Sequence, residues 1–188
     1  MNENKKLFLL KEDITYLNHG SFGACSKVVF QDYQNWQVKL EKQPVQFFTE
    51  ELYYALKKSR ESLSKFLGCG QDEVLFFQNP TTAVSNIIYN LDLKPGDEIL
   101  MTDHEYGALV RAWNAWGKKV KVYIKYANVT VPLESKDKFF EDVSKKISSK
   151  TKVLFLSHIT SPTGLVFPIK DIIDMNFGLF TPFIPSSH

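Results

Sequence analysis

The stretch Phe76-Phe77-Gln78-Asn79-Pro80-Thr81-Thr82-Ala83 joins an apolar run, Val74 to Phe77, to a helix-spaced apolar face at Val84, Ile87, Ile88 and Leu91. A buried strand that feeds a helix through Asn-Pro-Thr-Thr leaves unpaired backbone N–H groups and two hydroxyls at the helix N-terminus. The helix dipole favours negative charge at the same place, so the chemistry on offer is anion binding, phosphate above all. The same residues also read as an ordinary capped helix, with Asn79 or Thr81 as N-cap and Pro80 in the first turn. On this stretch alone both readings stand.

Two more polar loops follow apolar runs. Asp103 to Gly107 carries His104 and Tyr106, and Ser157 to Gly164 carries His158, Thr160 and Ser161. A histidine alone in a loop has many structural uses, and each of these two is expected to orient its loop by hydrogen bonding. Tyr106, taken alone, is an aromatic at a helix start, for which packing is the plain reading. Thr160 and Ser161, taken alone, make a polar turn before Pro162 and Gly164. Near the start, Asn18, His19 and Gly20 lie in a glycine-bearing loop where Gly20 and Gly23 permit backbone angles or close approaches. No Cys/His/Asp cluster has ligand spacing, so no metal is expected. Neither GxxxxGK[ST] nor GxGxxG after a strand occurs, which disfavours a nucleotide-binding module.

The elements that must position these groups alternate. Ser26 can cap a helix with Val29, Tyr33, Trp36 and Leu40 on one face, ended by Pro44, and a second helix runs from near Thr49 to Gly68. From there the pattern predicts a strand at Val74–Phe77, a helix at Thr81–Leu91, the turn Lys94-Pro95-Gly96-Asp97 and a strand at Glu98–Thr102. A helix through Leu109, Val110, Trp113 and Trp116 stops at Gly117 in this reading. It is followed by a strand through Val120, Val122 and Ile124, a helix through Phe139, Phe140, Val143 and Ile147, and a strand at Val153–Leu156. Such βαβ alternation predicts an α/β fold, a largely parallel sheet with helices on both faces. Ligands in such sheets bind beyond the carboxyl ends of the strands, where the three polar loops would gather.

Composition narrows the class. The chain has 188 residues, 44% hydrophobic and 23% charged, ordinary for a globular protein with a real core. A formal charge of +2 gives no argument for nucleic acid or an anionic membrane. Cys25 and Cys69 are far apart with no CxxC partner, which fits a reducing compartment rather than a disulfide framework. The apolar run Leu7 to Leu10 is too short for a signal-peptide core, and no run reaches membrane length, so a cytoplasmic location is expected.

Tyr16-Leu-Asn-His-Gly-Ser-Phe-Gly-Ala24, Asn79-Pro-Thr-Thr-Ala83, Gly96-Asp-Glu-Ile99, Asp103-His-Glu-Tyr-Gly-Ala108 and Ser157-His-Ile-Thr-Ser-Pro-Thr-Gly164 occur in that order. The set resembles the class V aminotransferase family of pyridoxal-phosphate enzymes, and within it the isopenicillin-N-epimerase branch, related to cysteine desulfurases and kynureninases. The match covers about residues 14 to 174. The resemblance implies the large domain of a fold type I pyridoxal-phosphate transferase, incomplete at its C-terminus, with pyridoxal 5'-phosphate as cofactor. It also implies an amino-acid substrate and a homodimer. It places Thr81, Thr82 and the amide of Ala83 at the cofactor phosphate, and Tyr106 where cysteine desulfurases stack a histidine on the pyridine ring. It places Thr160 and Ser161 near the ring hydroxyl or substrate atoms, and Asn18, His19 and Gly20 on the substrate side. The implied division is 1–48 as an N-terminal segment, 49–175 as a partial cofactor-binding domain and 176–188 as an atypical tail.

The resemblance also exposes what these residues lack. Pyridoxal-phosphate chemistry needs a Schiff-base lysine, an acid at the pyridine nitrogen and a cation for the substrate carboxylate. In the family the acid sits in an Asp-Gly-Ala-His-like strand end and the lysine in a later His-Lys pair, and the sequence contains neither motif. No catalytic residue is therefore assigned, and Arg60 and Arg111, the two arginines, receive no role. Past Met175 the stretch Asn176 to His188 follows neither helical nor strand period. The expectation is the first half of a family member, cut by a frameshift, an alternative transcript end or a truncated gene model. Two functions remain open: an aminotransferase-like protein acting on an amino acid, or a catalytically inactive fragment that binds cofactor or pairs with a sister chain.

Overall fold

A computed structural model describes residues 3–20 and 22–174. They fall into two compact units, one ending at Phe76 and the other beginning at Phe77. The expectations for Asn176 to His188 lie outside the described residues.

In the first unit a 3-10 turn, Glu3–Leu7, leads to an antiparallel bridge between Phe8 and Ser26. Ser26, extended at φ −67 and ψ 150, is the N-cap of α1 (Lys27–Lys42), as its position before the apolar stripe predicts, although its hydroxyl makes no capping bond. The chain turns at Gln43, and α2 (Pro44–Gln46) runs through a wide π-type turn, Phe47–Glu51, into α3 (Leu52–Leu67). Pro44 thus ends one helix and opens the next, since its fixed φ suits a first turn that needs no N–H. Gly68 closes α3 in the left-handed conformation at φ 70, a position that favours a residue without Cβ.

The second unit is a parallel sheet in the order β2-β1-β3, made of β1 (Glu98–Thr102), β2 (Tyr123–Ala127) and β3 (Thr151–Phe155). Ile99 pairs with Ile124 on one side and Val153 on the other. β1 is central, and Ile99, Leu100 and Met101 are all fully buried, which explains its continuous rather than alternating hydrophobicity. On one face Ile99, Met101 and Val153 pack with Val84 and Ile88 of α4 (Pro80–Asn90). Leu109, Trp113 and Trp116 of α5 (Gly107–Val120) complete that layer. On the other face Leu100 and Leu154 pack with Phe139 and Val143 of α6 (Lys136–Ser144), Phe167, and Ile172 of α7 (Ile169–Asp174). Each of these large side chains, once buried, contributes about 2 kcal/mol of hydrophobic stabilisation. No helix among the described residues is long and apolar enough to cross a membrane.

Two elements differ from expectation. Val74–Phe77 does not form a strand: Val74 is buried, but Leu75, Phe76 and Phe77 are exposed and have no backbone hydrogen-bond partner among the described residues. A strand exists only where a neighbour supplies the ladder, and apolar character alone does not supply one. The second difference is at Gly117, which does not stop its helix. It is buried inside α5, where a Cβ would come within 3.2 Å of Ile124. The helix ends instead at Lys121, in the left-handed conformation at φ 62, and β2 begins later than the Val120 start that alternation suggested.

Candidate functional site

The turn Gln78–Thr82 begins the second unit. Asn79 is the N-cap of α4 and Pro80 occupies its first turn. The Thr82 amide donates to Asn79 Oδ1 at 2.9 Å, the Thr82 hydroxyl donates to the same oxygen at 3.1 Å, and the Ala83 amide donates to the Asn79 carbonyl at 3.2 Å. The amide and hydroxyl of Thr81 have no partner among the described residues. The capped-helix reading is the one these bonds form, and the free Thr81 donors are what the anion-site reading would use. An anion would meet the Thr81 amide and hydroxyl directly, and would reach the Thr82 donors by displacing the Asn79 carboxamide. Free donors, a helix dipole and two hydroxyls suit a phosphate.

The loops after β1 and β3 are joined by a buried carboxylate. Glu105, 5% exposed, accepts the Thr102 hydroxyl at 2.7 Å. It also accepts the Ser157 amide at 3.1 Å and the Ser157 hydroxyl at 2.5 Å. Burial pushes its carboxyl above the ordinary value of 4.5, against the pull of the Ser157 and Thr102 hydrogen bonds. The place is telling: β1 and β3 are neighbours, and the chain leaves β1 toward α5 on one face and leaves β3 toward α7 on the other. Such a reversal opens a crevice at the carboxyl edge of the sheet.

His104 makes the second tie. Its Nε2 donates to the Val129 carbonyl at 2.8 Å, since a carbonyl can only accept, and its Nδ1 faces the Thr163 hydroxyl at 3.2 Å. One ring thereby links the segments after β1, β2 and β3, the loop-orienting role expected of it. The Asp103 carboxylate accepts the Val129 amide at 3.0 Å and secures the same corner. His158 is exposed, and only its carbonyl is engaged, by the Phe167 amide at 2.8 Å.

Tyr106 follows Glu105 directly and is the N-cap of α5, with extended backbone and a side chain about half exposed. It is therefore not the packing residue that its letter alone suggested; its side chain lies open, one position after the loop-joining carboxylate. Thr160 is 2% exposed, and its hydroxyl bonds to the Thr163 hydroxyl at 2.7 Å and accepts the Leu165 amide at 2.9 Å. Its role in this conformation is to hold the turn, whereas Ser161 beside it is exposed. In the first unit, Asn18, His19 and Gly20 are exposed at a turn where the Asn18 carbonyl accepts the Phe22 amide at 3.0 Å. The His19 ring packs edge-on against Tyr16 and tilted against Phe8, with centroids at 4.8 Å and 5.4 Å. Gly23 is the close approach in this loop, its Cβ position lying 3.1 Å from the His19 carbonyl, while Gly20 faces open space.

The residue that sequence reasoning passed over is Glu105. A carboxylate in a polar loop gives no sign of its burial, and its partner Ser157 lies 52 positions away. Among the described residues no group of His, Cys, Asp and Glu is arranged to hold a metal ion.

Comparison with known proteins bears on the family and the fold. Isopenicillin N epimerase of Amycolatopsis lactamdurans is 31% identical over 158 residues, 82% of this chain and 39% of that protein. A probable chloroplastic L-cysteine desulfhydrase of Arabidopsis thaliana is 22% identical over 94% of this chain and 40% of its own length. The chain thus spans about two fifths of the curated relatives it matches. Among solved structures, a cystine C-S lyase in complex with its product cysteine persulfide superposes with a TM-score of 0.80. It is 23% identical and covers 87% of this chain and 43% of that one. A cysteine desulfurase of Escherichia coli gives 0.76 at 17% identity, over 95% of this chain and 46% of its own. These neighbours share the parallel-sheet α/β fold of type I pyridoxal-phosphate enzymes. The family model Aminotransferase class-V matches residues 25–176, and the chain belongs to that pyridoxal-phosphate-dependent family.

Proposed function

We propose that these residues hold the phosphate and ring of pyridoxal phosphate in an enzyme that acts on an amino acid. The observation that carries the reading is the pair of free Thr81 donors at the start of α4, in a chain of this family. Thr81, Thr82 and the Ala83 amide bind the phosphate, with the Asn79 carboxamide holding the Thr82 donors in place until they are needed. Tyr106 covers one face of the ring and excludes water from it. Ser161, exposed beside the turn that Thr160 holds, faces the ring hydroxyl or substrate atoms, and Asn18, His19 and Gly20 lie on the substrate side. The cofactor, when bound, supplies an electron sink for bonds at the amino acid's α-carbon. No lysine of the sequence stands in a His-Lys pair, so the role of these residues is to hold the cofactor and not to make a bond to it. The amino-acid substrate class follows the relatives, an epimerase and a cysteine desulfhydrase.

The test is a titration of the 188-residue chain with pyridoxal phosphate, read by tryptophan fluorescence, with Trp113 and Trp116 in α5 as reporters. Saturable quenching is expected. Thr81→Ala with Thr82→Ala should weaken binding about tenfold or more, since hydrogen bonds to a charged group are strong. Quenching that never saturates, or that ignores the double substitution, sinks the reading.

A further inference from the structure

We propose that Glu105 is a positioning residue: by tying the end of β1 to the end of β3 it sets the presentation of the Tyr106 ring to its ligand. This rests on the cofactor reading above. The carboxylate is buried and carries no cation among its partners; its contacts are the Thr102 hydroxyl at the end of β1 and the amide and hydroxyl of Ser157 just past β3. All three are donors, and they leave the carboxylate no freedom to rotate away. The residue so fixed is joined by one peptide bond to Tyr106, whose carbonyl in turn accepts the Leu109 amide at 2.9 Å and the Val110 amide at 3.0 Å. Tyr106 is therefore clamped on both sides: by the crevice-spanning carboxylate before it and by the first turn of α5 after it. Its ring is left the only free part, open for about half its surface. A ring held this way presents a fixed face, and the cost of ordering it on binding is already met by the fold. The phosphate site at Thr81 lies on a different helix and does not share these bonds. The two parts of a ring-bearing phosphate are thus read by separable devices.

The separability gives the experiment. The 188-residue chain and its Glu105→Ala, Tyr106→Ala and doubly substituted forms are titrated with pyridoxal phosphate and, in parallel, with inorganic phosphate. Each single substitution should weaken pyridoxal phosphate about fivefold, the scale of one aromatic contact. The double form should be no weaker than the singles, and inorganic phosphate affinity should be equal in all four. Additive losses, or a Glu105→Ala form that loses inorganic phosphate to the same extent, mean a merely structural carboxylate and overturn the proposal. Ser157→Ala removes one tie without emptying the site. It should show the same selective loss at smaller size, which keeps the test open if Glu105→Ala does not fold. Wild-type chain that binds no pyridoxal phosphate overturns the cofactor reading and this inference together. Wild-type binding that the Glu105 and Ser157 substitutions leave unchanged overturns only the positioning role.

Discussion

Strand β1 is flanked by two glutamates, Glu98 at its start and Glu105 just past its end, and the sheet treats them in opposite ways. Glu98 accepts the Ser148 hydroxyl at 2.6 Å, the Lys125 ammonium at 3.0 Å and the Thr151 hydroxyl at 3.2 Å. The Ser148 hydroxyl, with Lys125 and Thr151, holds its carboxyl below the ordinary value of 4.5 in spite of desolvation. Glu105 is met by donors from Thr102 and Ser157 but by no cation among the described residues, and burial wins. The amino edge of the sheet is thus joined by an ion pair, and the carboxyl edge by a buried carboxylate whose charge is balanced by hydrogen-bond donors alone. A charge-neutralised edge suits a scaffold. A buried carboxylate with its pKa raised by burial suits a place where something else is meant to bind.

The contrast can be broken most directly by truncation. Glu105→Ala leaves the Ser157 amide and two hydroxyls without acceptors in a buried site and should cost about 3 kcal/mol in a urea melt. Glu98→Ala, nearer to solvent, should cost about 1 kcal/mol. Equal losses would erase the distinction between the edges. A finer cut uses pH. Because the folded pKa of Glu105 is raised, its contribution is complete below about 4.5 and is lost as pH rises through the folded value. Because that of Glu98 is lowered, its contribution is present above about 4.5 and is lost as pH falls through the folded value. Relative to wild type, Glu105→Gln should therefore gain stability with rising pH and Glu98→Gln should lose it. Slopes of the same sign would contradict the assignment. The smallest effect is screening: molar sodium chloride should remove about 0.5 kcal/mol of coupling between Glu98 and Lys125 in a double-mutant cycle. It should leave the coupling between Glu105 and Ser157 intact.

These edges also show what a sequence can and cannot declare. β1 was legible to the residue, because the apolar core Ile99–Met101 between Gly96-Asp97 and a polar loop has one sensible reading in an α/β pattern. The start of α4 was legible to within a residue, with Asn79 and Thr81 both offered as caps, because caps are local chemistry; the structure chooses Asn79. Of the three loops expected to gather, those after β1 and β3 are joined by the bonds from Glu105 to Ser157 and from His104 to Thr163, while among the described residues no hydrogen bond ties the Gln78–Thr82 turn to them. Which residues would make those bonds was not legible, since burial of a single loop glutamate depends on a partner far away in the chain. The Val74–Phe77 strand failed for a related reason: its hydrogen-bonding neighbour is not a property of the stretch. Lys121 hid the end of α5, because a non-glycine residue in the left-handed conformation carries no letter of its own.

Gly117 extends the consequence of that hidden end. With hydrogen in place of a methyl at the crossing, α5 rests against Ile124 of β2 at a separation where any Cβ would be a tight contact, 3.2 Å from the Ile124 side chain. Tyr106 stands eleven residues away at the other end of the helix, about 16 Å along its axis. A methyl there would have to be met by a shift of a few tenths of an ångström in Ile124 or in the helix, so the seating of the element that begins beside Tyr106 carries a small-residue requirement far from the site itself.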